Sequence, residues 1–310
     1  MIEPHEGTTW ESWKKTLHFA EDAGFSGVRL ADHLLPINGH PRPSSLETWT
    51  ALTYAATETK RVRLGTLVSP VTYRYPPMLA RITAQIDVLS GGRLDTCIGA
   101  GWNSMEHEAF GYPFPPVGVR VGMLGEAAHI LRLLWGGGPV TFQGKHYTLK
   151  NATCLPKPLQ SPMPLAIGGG GEKRTLRYVA NYATEWNGVL CSMPVYRRKR
   201  EALESHCADL GRNPQNIRRT FLTGMAIGQS DAEVRQHFER CIPWIGRGLP
   251  TTPDELQSTR GWVVGTISQA VEQIKAMENE GIEEWFLHHI DQENFDELEL
   301  IAAKIIPLVR

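Results

Sequence analysis

The sequence lacks the features that mark several large classes of protein. Among its 310 residues, 32 lysines and arginines nearly balance 33 aspartates and glutamates. That balance gives no electrostatic reason to expect a nucleic acid or an anionic membrane as a partner. No apolar run approaches the length of a membrane span, and the N-terminus has no basic start followed by an apolar core. We therefore expect a soluble globular protein.

Cysteine is scarce, and its spacing is as informative as its number. The five cysteines are an odd number, lie far apart and include no CxxC pair (Cys97, Cys154, Cys191, Cys207 and Cys241). This pattern disfavours a disulfide framework and a zinc site, and it favours reduced thiols in the cytoplasm. No cluster of histidine and carboxylate residues has ligand spacing either, so no metal is expected.

What the sequence does contain is a repeated alternation of short apolar runs and helical patterns. Residues 61–107 show it most clearly: apolar runs at 62–68 and 94–98 flank a helical pattern at 78–89, which stops at Gly91-Gly92. Each apolar run opens into a loop of small residues. A strand, a loop and a crossover helix, repeated, form a parallel α/β unit whose strand C-termini carry the chemistry.

The same alternation predicts eight strands, followed by helices that often begin with a capping signature. The strands are expected at 1–3, 27–30, 62–68, 94–98, 163–167, 186–190, 219–227 and 284–288, and the capping signatures are Thr8-x-x-Glu11, Ser44-x-x-Glu47, Ser230-x-x-Glu233 and Thr266-x-x-Gln269. Eight such units close into a TIM barrel of the α/β class, here one domain over residues 1–310. Two insertions are expected: 136–158 with a small hairpin, and an irregular 243–261. A doubly wound open sheet is the alternative, but the GxGxxG that it usually carries after its first strand is absent.

Two predicted strand ends have a composition suited to a ligand site. Gly168-Gly169-Gly170-Gly171 precedes a helix expected near Glu172, so its backbone N–H groups are expected to face a bound phosphate. A tight turn without a ligand is the other interpretation, and a P-loop is excluded because no GK[ST] follows. Asp32-His33 ends the second strand, where an imidazole can exchange a proton with a bound substrate near neutral pH.

Five motifs in order resemble the bacterial luciferase-like flavin and deazaflavin oxidoreductases, most closely the branch that uses coenzyme F420. They are Leu30-Ala31-Asp32-His33, Gly65-Thr66-Leu67-Val68-Ser69-Pro70, Ser90-Gly91-Gly92-Arg93, Gly99-Ala100-Gly101-Trp102-Asn103 and Ile167-Gly168-Gly169-Gly170-Gly171. The resemblance covers nearly the whole chain. It implies a barrel with a tricyclic cofactor across its C-terminal mouth, hydride transfer between F420 and a small organic substrate, and a homodimer.

The resemblance also implies roles for individual residues. It places His33 at the deazaflavin as the proton donor or acceptor, with Asp32 beside it as a catalytic and cofactor-binding residue. It makes Leu67–Val68 the equivalent of a non-proline cis peptide that supports the ring from behind. Further cofactor contacts are expected from two loops: Gly101, Trp102, Asn103 and His107 in one, and Gly168, Gly169, Gly170 and Gly171 in the other. Trp102 is expected either to wall the substrate pocket or simply to pack.

Three other residues are weaker candidates for the same pocket. Glu3 ends the first strand, and His288 and His289 end the last, so that one of these two histidines faces inward and the other points elsewhere.

One departure from the family bears on the substrate. In its sugar-phosphate dehydrogenases a glutamate of the fourth loop acts as an acid, and alignment on Gly99-Ala100-Gly101 places Ser104 there, with Glu106 and Glu108 out of register. This departure, together with the lack of a recognisable set of basic residues for the phosphate, argues against sugar-phosphate oxidation. An FMN-dependent monooxygenase and a non-catalytic flavin-binding barrel remain alternatives. The segments expected to wall the pocket, 34–43, 102–118 and 244–261, show no pattern that identifies a substrate.

Overall fold

A parallel sheet forms the centre of the structure. The computed structural model describes residues 1–37, 44–244, 252–292 and 294–309. Within those residues the main sheet runs in the order β1-β2-β4-β7-β8-β9-β12, with β3 paired to β4. The strands are β1 Gly27–Leu30, β2 Arg63–Thr66, β3 Ser69–Pro70, β4 Leu94–Gly99, β5 Val140–Gln143, β6 Thr148–Ala152, β7 Leu165–Gly168, β8 Glu185–Val189, β9 Arg218–Thr223, β10 Met225–Gly228, β11 Val263–Thr266 and β12 Glu284–Leu287.

Helices follow most of these strands and cover the outside of the sheet. They are α1 Trp10–Asp22, α2 Thr48–Glu58, α3 Pro76–Ser90, α4 Ser104–Phe110, α5 Val117–Gly136, α6 Thr175–Tyr182, α7 Met193–Asp209, α8 Asp231–Cys241, α9 Pro253–Arg260, α10 Ile267–Asn279, α11 Asp296–Lys304 and α12 Ile306–Val309. The apolar faces of the helices and the outward side chains of the strands form one large buried core.

The first two residues bring the two edges of this sheet together. Ile2 forms a parallel bridge with Leu30 of β1. On the other side, the Met1 nitrogen donates to the Leu287 carbonyl at 2.7 Å, and His289 N donates to the Met1 carbonyl at 3.1 Å. Backbone at residues 1–2 thus lies between β1 and β12, which is the short first strand expected from the sequence. The expected TIM barrel is confirmed.

Four helix starts test the capping signatures. At α2 the expected Ser44 is wrong, because Glu47 is the N-cap and its side chain accepts from Thr50 N. Ser230 accepts from Glu233 N at the start of α8, and Thr266 and Gln269 form a full capping box at α10, as expected. At α1 the expected residue is wrong by one, because Thr9 and Ser12 form the capping box. The serine hydroxyl of Ser12 reaches back to the backbone as a glutamate would.

The structure corrects two expectations near the C-terminal third. The predicted strand 219–227 divides at Gly224, and its second half, β10, pairs with β11 in a separate two-stranded sheet. A Cβ at Gly224 would lie 2.1 Å from the Trp262 ring, so glycine is needed where that indole packs. The second insertion is not wholly irregular, because α9 occupies much of it; residues 245–251, like 38–43 of the first pocket wall, lie outside the described residues. The hairpin in the first insertion is confirmed as the antiparallel pair β5–β6.

The lower part of the barrel interior holds an ionic layer instead of a purely aliphatic one. Arg29 of β1 and Arg63 of β2 both bind the buried Asp95 of β4. Gly65 lies between them, and a Cβ there would come 2.1 Å from Arg29 Nη1. The glycine of the Gly65-to-Pro70 motif is thus required because a guanidinium crosses its face.

Two further expectations concern the whole chain. All five cysteines are free thiols. Among the helices of the described residues, none is long and apolar enough to cross a membrane.

Candidate active site

A cavity of about 410 Å³ opens at the C-terminal ends of the barrel strands. Its floor and walls are mainly apolar, and a small number of titratable side chains converge on it (Glu3, His33, Glu106 and His288). A second cavity, of about 460 Å³, lies beside β12 and near the N-terminal ends of β9 and β12, lined chiefly by aliphatic side chains. Active sites of parallel barrels lie at the C-terminal ends of strands, so the first cavity is the candidate.

A histidine–carboxylate pair is the main polar feature of this cavity. His33 follows β1, and its Nδ1 lies 3.1 Å from each carboxylate oxygen of Glu106, in α4. Leu34 N donates to the same carboxylate at 3.0 Å. Burial alone would raise the pKa of the Glu106 carboxyl, but the hydrogen bond with His33 holds that pKa below its usual value. Glu106 is therefore an anionic acceptor.

The charge of Glu106 decides which nitrogen of His33 carries the proton in the neutral ring. A carboxylate can only accept hydrogen bonds, so Nδ1 must be the protonated nitrogen. The other nitrogen, Nε2, is left with its lone pair for the cavity. His33 is thus oriented as a base at Nε2, and as an acid at the same atom once protonated.

Asp32 takes a supporting position instead of a place in the cavity wall. The side chain is fully buried, and its carboxylate accepts from Ser69 Oγ at 2.6 Å, from Trp49 Nε1 at 3.2 Å and from two nitrogens of Arg74 at 2.6 and 2.9 Å. All of its acceptor capacity is directed away from the pocket. The side chain does not line the described cavity and instead joins the loops on either side of His33, so its contact with the cofactor stays a prediction.

Leu67–Val68 is a cis peptide bond, at the position that the family alignment indicates. Both residues line the cavity. The Val68 side chain packs between two glycines: a Cβ on Gly99 would meet Val68 Cγ2 at 2.5 Å, and a Cβ on Gly168 would meet Cγ1 at 2.5 Å. The last residues of β4 and β7 must therefore be glycine for Val68 to form the pocket floor.

The glycine run 168–171 reaches the cavity with only its first half. Gly168 and Gly169 line it, and Gly169 has a φ of 110°, which favours glycine. The helix does not begin near Glu172 but at Thr175, whose side chain also lines the cavity. Gly170 and Gly171 turn away, and the Gly170 carbonyl accepts from Lys199 Nζ at 2.6 Å.

The loop after β4 divides in the same way. Gly101 and Trp102 line the cavity, and the Trp102 ring lies 5.7 Å from that of His33 while 63% of the residue is exposed, so this tryptophan walls the pocket. Asn103 is buried and caps α4 through Met105 N. His107 is also buried, between the Asn103 carbonyl at 2.6 Å and Thr72 Oγ1 at 2.7 Å. Neither Asn103 nor His107 reaches the cavity.

The weaker candidates behave as the strand alternation predicts. Glu3 and His288 both line the cavity, with Glu3 Oε1 3.3 Å from His288 Nε2. Burial would raise the pKa of Glu3, but the nearby His288 charge lowers it below the usual value. His289 points the other way and packs on Phe295, where burial lowers its pKa to about 3.

Folding also assembles a group that the linear spacing did not indicate. Potential ligand atoms of Glu3, His5 and Glu6 lie within 4.8 Å of one another. His5 is fully buried, its ring centroid lies 4.9 Å from that of His33, and burial lowers its pKa to about 4. A neutral imidazole between carboxylates thus lies behind His33.

Two residues of the cavity were missed from the sequence. Glu106 was placed out of register, although Asn103-x-x-Glu106 has the form of a capping box and so marks the first turn of a helix after β4. Asn187 lies inside β8, in a run that indicates only a buried strand. No local signal distinguishes an inward asparagine from a structural one.

The fold and the site together define a (β/α)8 barrel with a buried acid–base pair at its C-terminal mouth. Residues 2–286 match the family described as luciferase-like monooxygenase, and the chain belongs to that family.

Individual relatives and solved structures agree with this assignment. The chain is 28% identical, over 94% of its length and 90% of the relative's, to an F420-dependent glucose-6-phosphate dehydrogenase of Kineococcus radiotolerans. It is similar in fold to an F420-dependent secondary alcohol dehydrogenase solved with an F420–acetone adduct (TM-score 0.81, 23% identity, 96% and 94% of the two chains). It is also similar to the monooxygenase RslO1 of Streptomyces bottropensis (TM-score 0.79, 19% identity, 99% and 98%).

Proposed function

We propose that this protein is an oxidoreductase that transfers a hydride between coenzyme F420 and a small organic substrate. The observation that carries the proposal is the His33–Glu106 pair at the mouth of the barrel, with Nε2 of His33 free for a proton transfer. Full-length relatives that use F420 support the choice of cofactor.

The cavity fits a flat ring system that ends in a phosphate-bearing chain. The Leu67–Val68 floor is apolar and broad, and 410 Å³ is in the range of pockets that hold cofactor-sized ligands. Gly101 and Gly169 line the cavity with backbone, and both have a positive φ that favours glycine; a Cβ at Gly101 would also lie 2.7 Å from Thr72 Oγ1. We infer that Leu67, Val68, Gly101 and Trp102 contact the ring, and that Gly168, Gly169 and Thr175 contact the chain.

When bound, F420 supplies the hydride donor or acceptor. The chain's own residues supply the accompanying proton. In substrate oxidation His33 Nε2 takes a proton from the substrate, and Glu106 stabilises the resulting imidazolium through Nδ1–H. In reduction the same Nε2–H returns the proton. Trp102 forms the cavity wall beside His33, and Asp32 holds the loop that presents His33.

The substrate remains to be identified. The structure corrects one argument against a sugar phosphate, since a glutamate, Glu106, does lie beside the catalytic histidine. The other argument was the lack of basic residues for the phosphate. The described part of the cavity lining indeed contains no lysine or arginine to bind a phosphate dianion. We therefore propose a neutral alcohol or carbonyl compound as the substrate class to test first.

An anaerobic assay separates this function from the alternatives. Reduced F420 should be oxidised by one of a panel of ketones, aldehydes, enones and nitro compounds, without oxygen. An FMN-dependent monooxygenase would instead consume oxygen with reduced FMN, and a non-catalytic barrel would bind a flavin with no turnover. The family assignment and the RslO1 fold keep the monooxygenase as the second candidate.

Three broader expectations remain proposals. We propose one structural domain over residues 1–310, and the continuous core of the described residues supports it. A homodimer is expected from the family and is tested by analytical ultracentrifugation. A cytoplasmic location is supported by five free cysteines, which suit a reducing compartment.

A further inference from the structure

A polar group at the floor of the cavity lacks a partner in the part of the chain that the structure describes. Asn187 of β8 is fully buried and lines the cavity, and its Oδ1 accepts no hydrogen bond from those residues. Its Nδ2 donates to Thr220 Oγ1, in the neighbouring strand β9, at 3.0 Å. A buried carbonyl oxygen without a donor is unfavourable, so Oδ1 marks a place that a bound molecule completes.

Its neighbours fix the orientation of the Asn187 amide. The Thr220 hydroxyl has one proton, and its two other contacts are both acceptors: Glu185 Oε1 at 3.0 Å and the Trp186 carbonyl at 3.5 Å. Glu185 is itself paired with Arg218. The hydroxyl must therefore donate away from Asn187 and receive the amide N–H. Reversing the amide would set two acceptors against each other, so Oδ1 is the atom left for the cavity.

The position of Asn187 connects it, through Gly168, with Val68, which is inferred to contact the ring. Asn187 pairs with Gly168 in the register of β8 and β7. Gly168 is the glycine over which the Val68 side chain packs. Asn187 thus lies next to the residues of the pocket floor, away from the strand that leads to His33, which is on the opposite side of the barrel sheet.

We propose that Asn187 Oδ1 accepts a hydrogen bond from the imide N–H of the pyrimidinedione ring of the bound deazaflavin. The inference rests on the proposed function for its cofactor, but not for its substrate or for the role of His33. The imide N–H lies between two carbonyls and is a ring donor that F420 and FMN share. The hydroxyl at the other end of the F420 ring is conjugated with those carbonyls and therefore acidic, and an amide oxygen would repel its anion. Asn187 thus determines which end of the ring is held at the floor.

Binding of two synthetic ligands to the full chain tests this assignment. The probes are the hydroxylated deazaflavin core with its imide N–H free and the same core with that nitrogen methylated, followed by fluorescence titration. The wild type should bind the N–H form at least about tenfold more tightly, as expected for one buried hydrogen bond. In Asn187→Ala, which removes the acceptor and makes room for the methyl group, the preference should fall to about threefold or less. Asn181→Ala, at an exposed asparagine of α6, should behave as wild type.

Two further measurements keep the result decisive if Asn187→Ala does not fold. Thr220→Val, which releases the amide without removing the acceptor, should give an intermediate preference. In the wild-type complex, the imide proton of an isotope-labelled deazaflavin should be protected from exchange with water. Three results would overturn the inference without affecting the proposed cofactor. They are a wild type with no preference for the N–H form, an Asn187→Ala variant with the full preference, and an imide proton that exchanges freely with water. A wild type that bound neither the deazaflavin nor FMN would instead overturn the proposed cofactor, and this inference with it.

Discussion

His33 Nδ1 lies 3.1 Å from both carboxylate oxygens of Glu106, although 73 residues separate them along the chain. The distance is set by two strand ends, since His33 follows β1 and Glu106 lies in the first turn of the helix after β4. We therefore propose that the two residues act together in proton transfer. Removing either should affect turnover more than cofactor affinity.

His33→Ala should lower turnover by ~100- to 10,000-fold, the range for loss of a positioned acid or base. Glu106→Gln should lower it by about 100-fold, because an amide no longer fixes the tautomer or stabilises the imidazolium. Both variants should bind F420 nearly as tightly as the wild type. Steady-state kinetics and fluorescence titration measure the two effects. Glu108→Gln, at an exposed residue of α4, is the matched control. A Glu106→Gln enzyme with full turnover would show that the Glu106 carboxylate has no part in the mechanism.

Asp32→Asn should act mainly on stability. The buried Asp32 carboxylate binds Arg74, Ser69 and Trp49, and an amide would leave the guanidinium with the exposed Glu47 as its anionic partner. Breaking a buried ion pair in this way costs about 3 kcal/mol of unfolding free energy. Urea denaturation measures the loss. The control is Asp22→Asn, because that side chain is 84% exposed. A variant that is as stable as the wild type but does not bind the cofactor would show that Asp32 acts in cofactor binding and not mainly in stability.

The two glycines of the 168–171 run should respond differently to alanine. In Gly168→Ala the new Cβ would meet Val68 Cγ1 at 2.5 Å and displace the pocket floor, so F420 affinity should fall. In Gly170→Ala the Cβ would meet the flexible end of Lys199, which can move aside, and affinity should be nearly unchanged. Calorimetric titration of the two folded variants compares them. Equal losses of F420 affinity in the two variants would contradict this account. They would indicate that all the glycines of the run are needed for a phosphate to approach the backbone, and not for support of Val68.

The contribution of Glu297 to folding stability should decrease as the pH rises from about 5 to 8. Burial raises the pKa of Glu297 in α11 from 4.5 to about 8. The folded state then binds a proton that the unfolded state has released, so this stabilising term is complete below pH 4.5 and is lost as the pH passes 8. Glu297→Gln should remove the dependence and raise the melting temperature at pH 8.5 relative to wild type. Identical pH profiles of wild type and variant would show that Glu297 ionises normally.

Features of the fold that depend on residues close together in the sequence could be predicted, and features that depend on distant residues could not. The alternation of apolar runs and helical patterns is a local property, and it predicted the barrel, the hairpin and the direction of His288 against His289. The break at Gly224 was not predicted, because it depends on Trp262 packing from a distant segment.

Site residues divide in the same way. His33 was found because a histidine at a strand end faces the barrel mouth. Asp32, in the same motif, and His107, after the Gly99-to-Asn103 motif, do not line the cavity, since hydrogen bonds from Arg74 and Thr72 hold their side chains elsewhere. Glu106 and Asn187 were missed because their partners, His33 and Thr220, belong to other strands. Strand pairing in the folded sheet, and not local spacing, brings these pairs together.

The most direct measurement is an anaerobic single-turnover assay with reduced F420. Wild-type protein is mixed with reduced F420 and each compound of the substrate panel, and the absorbance of the oxidised deazaflavin is followed. At least one neutral carbonyl compound should oxidise F420 stoichiometrically without oxygen, with His33→Ala at least ~100-fold slower. Oxygen consumption with reduced FMN, together with no oxidation of F420 by any compound, would contradict the proposed function.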